Sequence, residues 1–142
     1  LNVLLRGLSD KWQPRLLEKN IALRLQIPIS TTLNTDAALL SIILDNLLGN
    51  AIKYGNAGGQ IDCIWHPEDT SLTIRDNGPG ISPEQLPYIF NRFFRTDDSR
   101  SSTVPAAGLG LSIAKTLADL LGIHLAVSSR EGEGTAFVLG FS

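Results

Sequence analysis

The chain has 142 residues, 43% of them hydrophobic and 18% charged, with a net charge of −2. That fits one globular domain that buries roughly two thirds of its unfolded surface with no disulfide or metal staple, and it excludes a general electrostatic grip on nucleic acid or an anionic membrane. The apolar runs fall far below the roughly 20 residues of a bilayer span, no stretch reads as a signal peptide, and the single cysteine, Cys63, leaves no internal disulfide and no Cys/His cluster of metal spacing.

In residues 1–19, Val3, Leu4, Leu5, Leu8, Trp12, Leu16 and Leu17 recur at helical spacing and predict a helix that Pro14 interrupts. Over 21–27, Ile21, Leu23, Leu25 and Ile27 alternate with Ala22, Arg24 and Gln26, a half-buried strand that Pro28 ends. Thr35 or Asp36 then caps a long helix reaching about Tyr54, and Gly55 to Gly59 turns the chain. Residues 60–66 and 71–76 read as a hairpin across the polar Pro67-Glu68-Asp69-Thr70 turn. Residues 82–107 mix Pro, Ser, Thr, Asp and Arg around a short aromatic cluster; a stretch of this length inside a domain is functional or disordered. A helix from Leu109 to Leu121 follows a glycine pair, and 123–129 with 134–141 close the chain as paired strands around Gly132 and Gly134. There is no internal repeat and no low-complexity tract. These elements predict an α/β two-layer sandwich, with a mixed, mostly antiparallel sheet and helices on one face. Because the chain starts at Leu1 and holds no methionine, it is expected to be a piece of something longer.

Four features stand out. The helix from Asp36 to Tyr54 is apolar nearly all round, as a buried helix is, yet Asn46, Asn50 and Lys53 form one narrow polar stripe at i, i+4 and i+7. The stripe reads either as a solvated edge near the helix end or as a face toward a polar ligand. An Asn50 amide oxygen suits a hard cation such as Mg²⁺, and Lys53 suits a phosphate. Asp76-Asn77-Gly78-Pro79-Gly80-Ile81 directly follows a strand and reads either as an ordinary strand-ending turn or as one whose glycines let backbone approach something closely. Gly108-Leu109-Gly110-Leu111 opens a helix, where free N–H groups and the positive dipole end suit an anion. Gly132-Glu133-Gly134-Thr135 alone is a plain hairpin turn.

In this order the segments DNLLGNAIKYG, DNGPGI, IFNRFFR and AAGLGLSIAK resemble the N, G1, F and G2 boxes of sensor histidine kinases, and GEGTAFVLGF resembles their closing strand pair. The likeness runs from about residue 30 to 141. It implies the Bergerat fold shared with gyrase and the ninety-kilodalton heat-shock chaperone: one catalytic and ATP-binding domain over 1–142, with an ATP lid at about 82–107. It implies that Asn50 coordinates Mg²⁺ between the phosphates and that Asn46 helps hold the metal. Lys53 would bind phosphate, and Tyr54 would pack near the adenine or ribose. Asp76 would read adenine by accepting from its exocyclic amine, where guanine would bring a repelling oxygen, and Thr135 would share a water with it. Gly78, Gly80 and Ile81 would wrap the purine, while Gly108, Leu109, Gly110 and Leu111 would hold phosphates. Phe90, Phe93 and Phe94 would anchor the lid. Arg92 or Arg95 would reach the γ-phosphate, with Arg95 matching the arginine that stabilises the transferring phosphoryl group.

The pattern departs from the family at Ala106, where a further glycine is usual, followed by Ala107, and at Leu121, where a histidine is frequent. ATPases of this fold carry a water-activating glutamate where this chain has Asn46, and an amide is no general base. The resemblance therefore implies transfer of the γ-phosphoryl of Mg-ATP to a histidine on a separate helical dimerisation domain of a homodimeric parent. A response regulator receiver domain would take it next. The setting would be the cytoplasmic side of an inner-membrane-anchored bacterial sensor. Neither His66, before Pro67, nor His124, in a strand, has the acceptor's context. Asp45 reads as a solvated helix residue or as one facing the incoming acceptor, and Cys63 as a small core residue. Two alternatives remain open on these residues: an anti-sigma-type serine kinase of the same fold, and a degenerate nucleotide-binding or interaction module without transfer.

Overall fold

A computed structural model describes residues 1–91 and 110–141. Its elements are α1 (Asn2–Lys19), β1 (Ala22–Gln26), α2 (Ala37–Tyr54), β2 (Gln60–His66), β3 (Ser71–Asp76), a 3₁₀ turn at Leu86–Tyr88, α3 (Gly110–Leu121), β4 (His124–Arg130) and β5 (Gly134–Gly140). Asp36, not Thr35, caps α2: its carboxylate accepts from the Leu39 N–H at 3.0 Å, satisfying one of the orphan donors of the first turn. From there Leu40, Ile43, Leu44, Leu47, Leu48, Ala51 and Ile52 are all buried, each contributing about 1.5–3 kcal/mol for a side chain of leucine size.

Helix α1 runs through Pro14 without a break. Pro14 withholds an N–H from the carbonyl of Asp10, but both residues are exposed and water can take that place. Leu5, Leu8 and Leu16 face inward, and Asn20 ends the helix in the left-handed region at φ 55°.

The five strands lie in the order β1-β2-β3-β5-β4. Only β1 and β2 pair in parallel, with α2 as their crossover; the other neighbours are antiparallel. On one face Ile61, Cys63, Leu72, Ile74, Leu125, Phe137 and Leu139 meet the helices in a single core, which makes the two layers expected from the sequence. Burial and then the Asp62 charge push the Cys63 thiol up to about 12, so it stays an inert core group. The register sets Arg24, Asp62 and Arg75 in one row on the opposite face. Burial alone would raise the Asp62 pKa, but hydrogen bonds from Arg24 and Gln60 and the charges of Arg24 and Arg75 outweigh it and hold the carboxyl below its usual range. No helix among the described residues is long and apolar enough to cross a membrane.

Candidate functional site

The polar stripe of α2 does not end on open solvent. Asn46, Gly49, Asn50, Lys53 and Tyr54 form the floor of a cleft of about 420 Å³, with Trp12 and Arg15 of α1 on one wall and Gly110 and Leu111 of α3 on another. The Asn50 side chain has no hydrogen-bond partner among the described residues. The Asn46 amide donates to the Ile42 carbonyl at 3.0 Å. Its oxygen lies 3.2 Å from where a Cβ on Gly110 would stand, so a small residue lets the amino end of α3 close on it. The Lys53 ammonium sits 5.5 Å from the Tyr54 ring centre.

Helix α1 is fastened to α2 at both ends of the cleft wall. The Trp12 indole N–H donates to Asp45 Oδ1 at 2.7 Å, and the Lys11 ammonium reaches Asp45 Oδ2 at 2.7 Å. The indole lies over Gly49, where a Cβ would come within 2.9 Å of Trp12 Cζ2. One turn beyond Arg15, the Lys19 ammonium donates to the carbonyls of Ile52 at 2.7 Å and Lys53 at 3.0 Å, satisfying the last turn of α2. Burial and the nearby Arg15 charge lower the Lys19 pKa. Asp45 is thus tied to α1 through both carboxylate oxygens, while its side chain stays partly exposed and borders the cleft.

The second part of the site is the end of β3. Asp76 Oδ1 accepts from the Gly78 N–H at 2.8 Å, and the Thr135 backbone N–H also reaches the carboxylate. Burial nonetheless wins over these two bonds and raises the Asp76 pKa above its ordinary value. Gly78 lies so close to Gly55 and the Tyr54 carbonyl that a Cβ would come within 3.3 and 3.4 Å of them, which brings this turn against the end of α2. The turn is held from the other side too. The Ile81 N–H donates to Ser129 Oγ at 2.7 Å, and the Gly132 N–H donates to the Pro79 carbonyl at 2.7 Å. Gly80, at φ 77°, has the Arg130 carbonyl where a side chain would go. The Thr135 hydroxyl is 2.9 Å from Ser129 Oγ.

Asn46, Asn50, Lys53, Tyr54, Gly110 and Leu111 therefore share one cleft, and Asp76, Gly78, Gly80, Ile81 and Thr135 cluster at the strand end joined to it. Arg92, Arg95, Gly108 and Leu109 lie outside the described residues, as do Phe93, Phe94, Ala106, Ala107 and all of 92–107 in the expected lid. Of its start, Phe90 meets Phe137 edge-on at 6.3 Å, and the neighbouring Ile89 is buried. His66 and His124 share a register row at the opposite end of the strands from Asp76, and His66 Nε2 is 3.1 Å from Thr73 Oγ1. Sequence reasoning missed Trp12, Arg15, Gly49 and Ser129; Gly49, a glycine inside an apolar helix, was the one signal on offer.

Residues 35–142 match the family described as histidine kinase-, DNA gyrase B- and HSP90-like ATPase. The chain belongs to this family. It is 40% identical over 113 residues to the sensor histidine kinase YkoH of Bacillus subtilis, covering 80% of this chain and 25% of that protein. The catalytic domain of histidine kinase ThkA, in a nucleotide-free form, is 25% identical with a TM-score of 0.81, covering 99% of this chain and 92% of that one. Full-length ShkA in complex with AMPPNP is 29% identical with a TM-score of 0.76, covering 98% of this chain and 30% of that one. The chain spans about a quarter of the length of its Bacillus relative.

The site's donor set fits what an ATPase of this family would hold. No group of three or more His, Cys, Asp or Glu among the described residues could bind a metal by itself. The amide oxygens of Asn46 and Asn50 are instead hard, neutral donors, suited to a Mg²⁺ that takes most of its ligands from phosphates and water.

Proposed function

We propose that this domain binds Mg-ATP across the cleft and the Asp76 turn, and that it passes the γ-phosphoryl to a histidine on a separate helical dimerisation domain of the same protein. A response regulator receiver domain is the next acceptor, and the setting is the cytoplasmic part of a membrane-anchored bacterial sensor. The observation that carries the reading is the Asn46, Asn50 and Lys53 stripe opening on the same cleft as the start of α3, with Asp76 joined to it through Gly78.

In this reading Asp76 accepts from the adenine amine, and Gly80 and Ile81 wrap the purine beside Tyr54. Asn50 and Asn46 hold Mg²⁺, whose charge offsets that of the phosphates. Lys53 and the backbone N–H groups of Gly108, Leu109, Gly110 and Leu111 orient the phosphates, and Arg95 or Arg92 stabilises charge on the moving phosphoryl group. Among the described residues the only acid lining the cleft is Asp45, which is committed to Lys11 and Trp12. The rate of phosphoryl transfer comes from placing a nucleophile in line, and both histidines lie at the far end of the sheet. The nucleophile must therefore come from outside.

Incubation with radiolabelled Mg-ATP tests this. The domain alone is expected to bind nucleotide but neither to label itself nor to hydrolyse ATP appreciably. Adding the helical histidine domain should give acid-labile, base-stable label. Stable serine or threonine phosphate on an added partner would refute histidine transfer, and rapid hydrolysis by the domain alone would refute the argument from Asn46.

A further inference from the structure

The cleft has one wall that the sequence motifs leave without a role. Along it α1 sets Lys11, Trp12, Arg15 and Lys19 against α2. Three of the four are committed: Lys11 and Trp12 to Asp45, and Lys19 to the carbonyls of Ile52 and Lys53. Arg15 lines the cleft with Asn50 and Lys53, is exposed, and has no ion-pair or hydrogen-bond partner among the described residues.

Its position is nonetheless fixed. Trp12 lies one turn before Arg15 and Lys19 one turn after it, and each is hydrogen-bonded to α2, so the backbone between them cannot slide along the cleft. The closest acid on the facing helix, Asp45, already receives two donors. The wall therefore adds a permanently charged residue to a cleft that Lys53 also lines. A guanidinium fork matches the oxygens of a phosphate better than any neutral ligand group. The Arg15 charge also lowers the proton affinity of Lys19, whose ammonium sits on the last carbonyls of α2.

We propose that Arg15 is a nucleotide-binding residue supplied by α1, its guanidinium gripping the terminal phosphates of a nucleotide seated on Asn50 and Lys53. This rests on the Mg-ATP reading above and adds a contact from outside the N, G1 and G2 segments. It also makes α1, through Trp12 and Lys19, the mount for that contact.

Titration calorimetry of ATP, ADP and AMP into the domain and into Arg15→Gln and Arg15→Lys tests it. Arg15→Gln should bind ATP more weakly by on the order of ten-fold, with AMP affinity unchanged, because only the distal phosphates are involved. Arg15→Lys should recover part of the loss, and the melting temperature should stay with the parent's, since Arg15 is exposed. A loss shared by ADP places the contact at the β-phosphate; a loss confined to ATP places it at the γ-phosphate. Unchanged ATP affinity in Arg15→Gln, or an equal loss for all three nucleotides, would overturn the assignment. If the unaltered domain bound none of the three, the nucleotide reading would fall first and the role of Arg15 with it.

Discussion

Replacing Asp76 by asparagine keeps the size of the side chain and removes its charge. The amide oxygen can still accept from the Gly78 N–H that meets the carboxylate at 2.8 Å, while the new NH2 group cannot accept from the Thr135 N–H as a carboxylate oxygen does. The charge matters twice. In binding, the carboxylate is the proposed acceptor for the adenine amine, and losing a charge-assisted hydrogen bond costs about 1.5–3 kcal/mol, or roughly 10- to 150-fold in affinity. In folding the sign reverses. Burial raises the Asp76 pKa above its unfolded value, in spite of the Gly78 and Thr135 N–H groups. A carboxyl shifted that way favours the folded state most below the unfolded pKa, near 3.9, and the contribution is lost as pH rises through the folded value. At neutral pH the ionised group therefore works against folding. Asp76→Asn should gain most on the parent near pH 7, and that gain should shrink as pH falls below the unfolded value near 3.9, where the parent's carboxyl is protonated in both states. Titration calorimetry with ATP and thermal melts at the two pH values read both effects. ATP binding as tight as the parent's would refute the adenine assignment. A melting-temperature difference between variant and parent that is the same at both pH values would refute the claim that the charge opposes folding.

Asn50→Ala should remove the Mg²⁺-dependent part of triphosphate binding while the domain stays folded, since its side chain makes no hydrogen bond among the described residues; unchanged Mg²⁺ dependence would take Asn50 out of the site. Gly49→Ala sets two effects against each other. Alanine favours the helix by about 0.8–1 kcal/mol, but its Cβ would press on an indole that Asp45 holds in place, and overpacking of that kind costs about 1–3 kcal/mol. Urea unfolding should show a net loss of about 0–2 kcal/mol by that balance, and the same change in a Trp12→Leu background should be stabilising. A stabilising Gly49→Ala in the parent would show that the indole gives way freely.

Local chemistry was legible wherever a residue's partner lies nearby in the chain. Asp36 bonds three residues ahead, the apolar run of α2 repeats every turn, and the Pro67–Thr70 turn joins two strands that pair directly. The Asp76 turn and the helix after the glycine pair were found the same way. What escaped depends on partners distant in sequence. The bonds of Asp45 were hidden because Lys11 and Trp12 are brought to it only when α1 docks. Asp62 on the open face of the sheet gave no sign of its two arginine neighbours. Ser129 is one polar residue in a strand, and its bond to the Ile81 N–H spans 48 positions. Helical periodicity in α1 marked the leucines that enter the core but could not say that Trp12 and Arg15 border the cleft. The pairing of β5 with β3 rather than with β4 alone is likewise a choice of topology, to which alternation within each strand is blind.

That pairing has a consequence for a chain on the ribosome. Synthesis runs from β3 to β4 before β5 exists, yet β5 lies between them. Until residues 134–140 emerge, one edge of β3 has no partner and Asp76 lacks the Thr135 N–H. Domains fold as units, and unpaired strand edges are where incomplete chains associate wrongly. The Asp76 corner is built from the middle of the chain, but a growing chain completes it only when its closing strand arrives and threads into the gap.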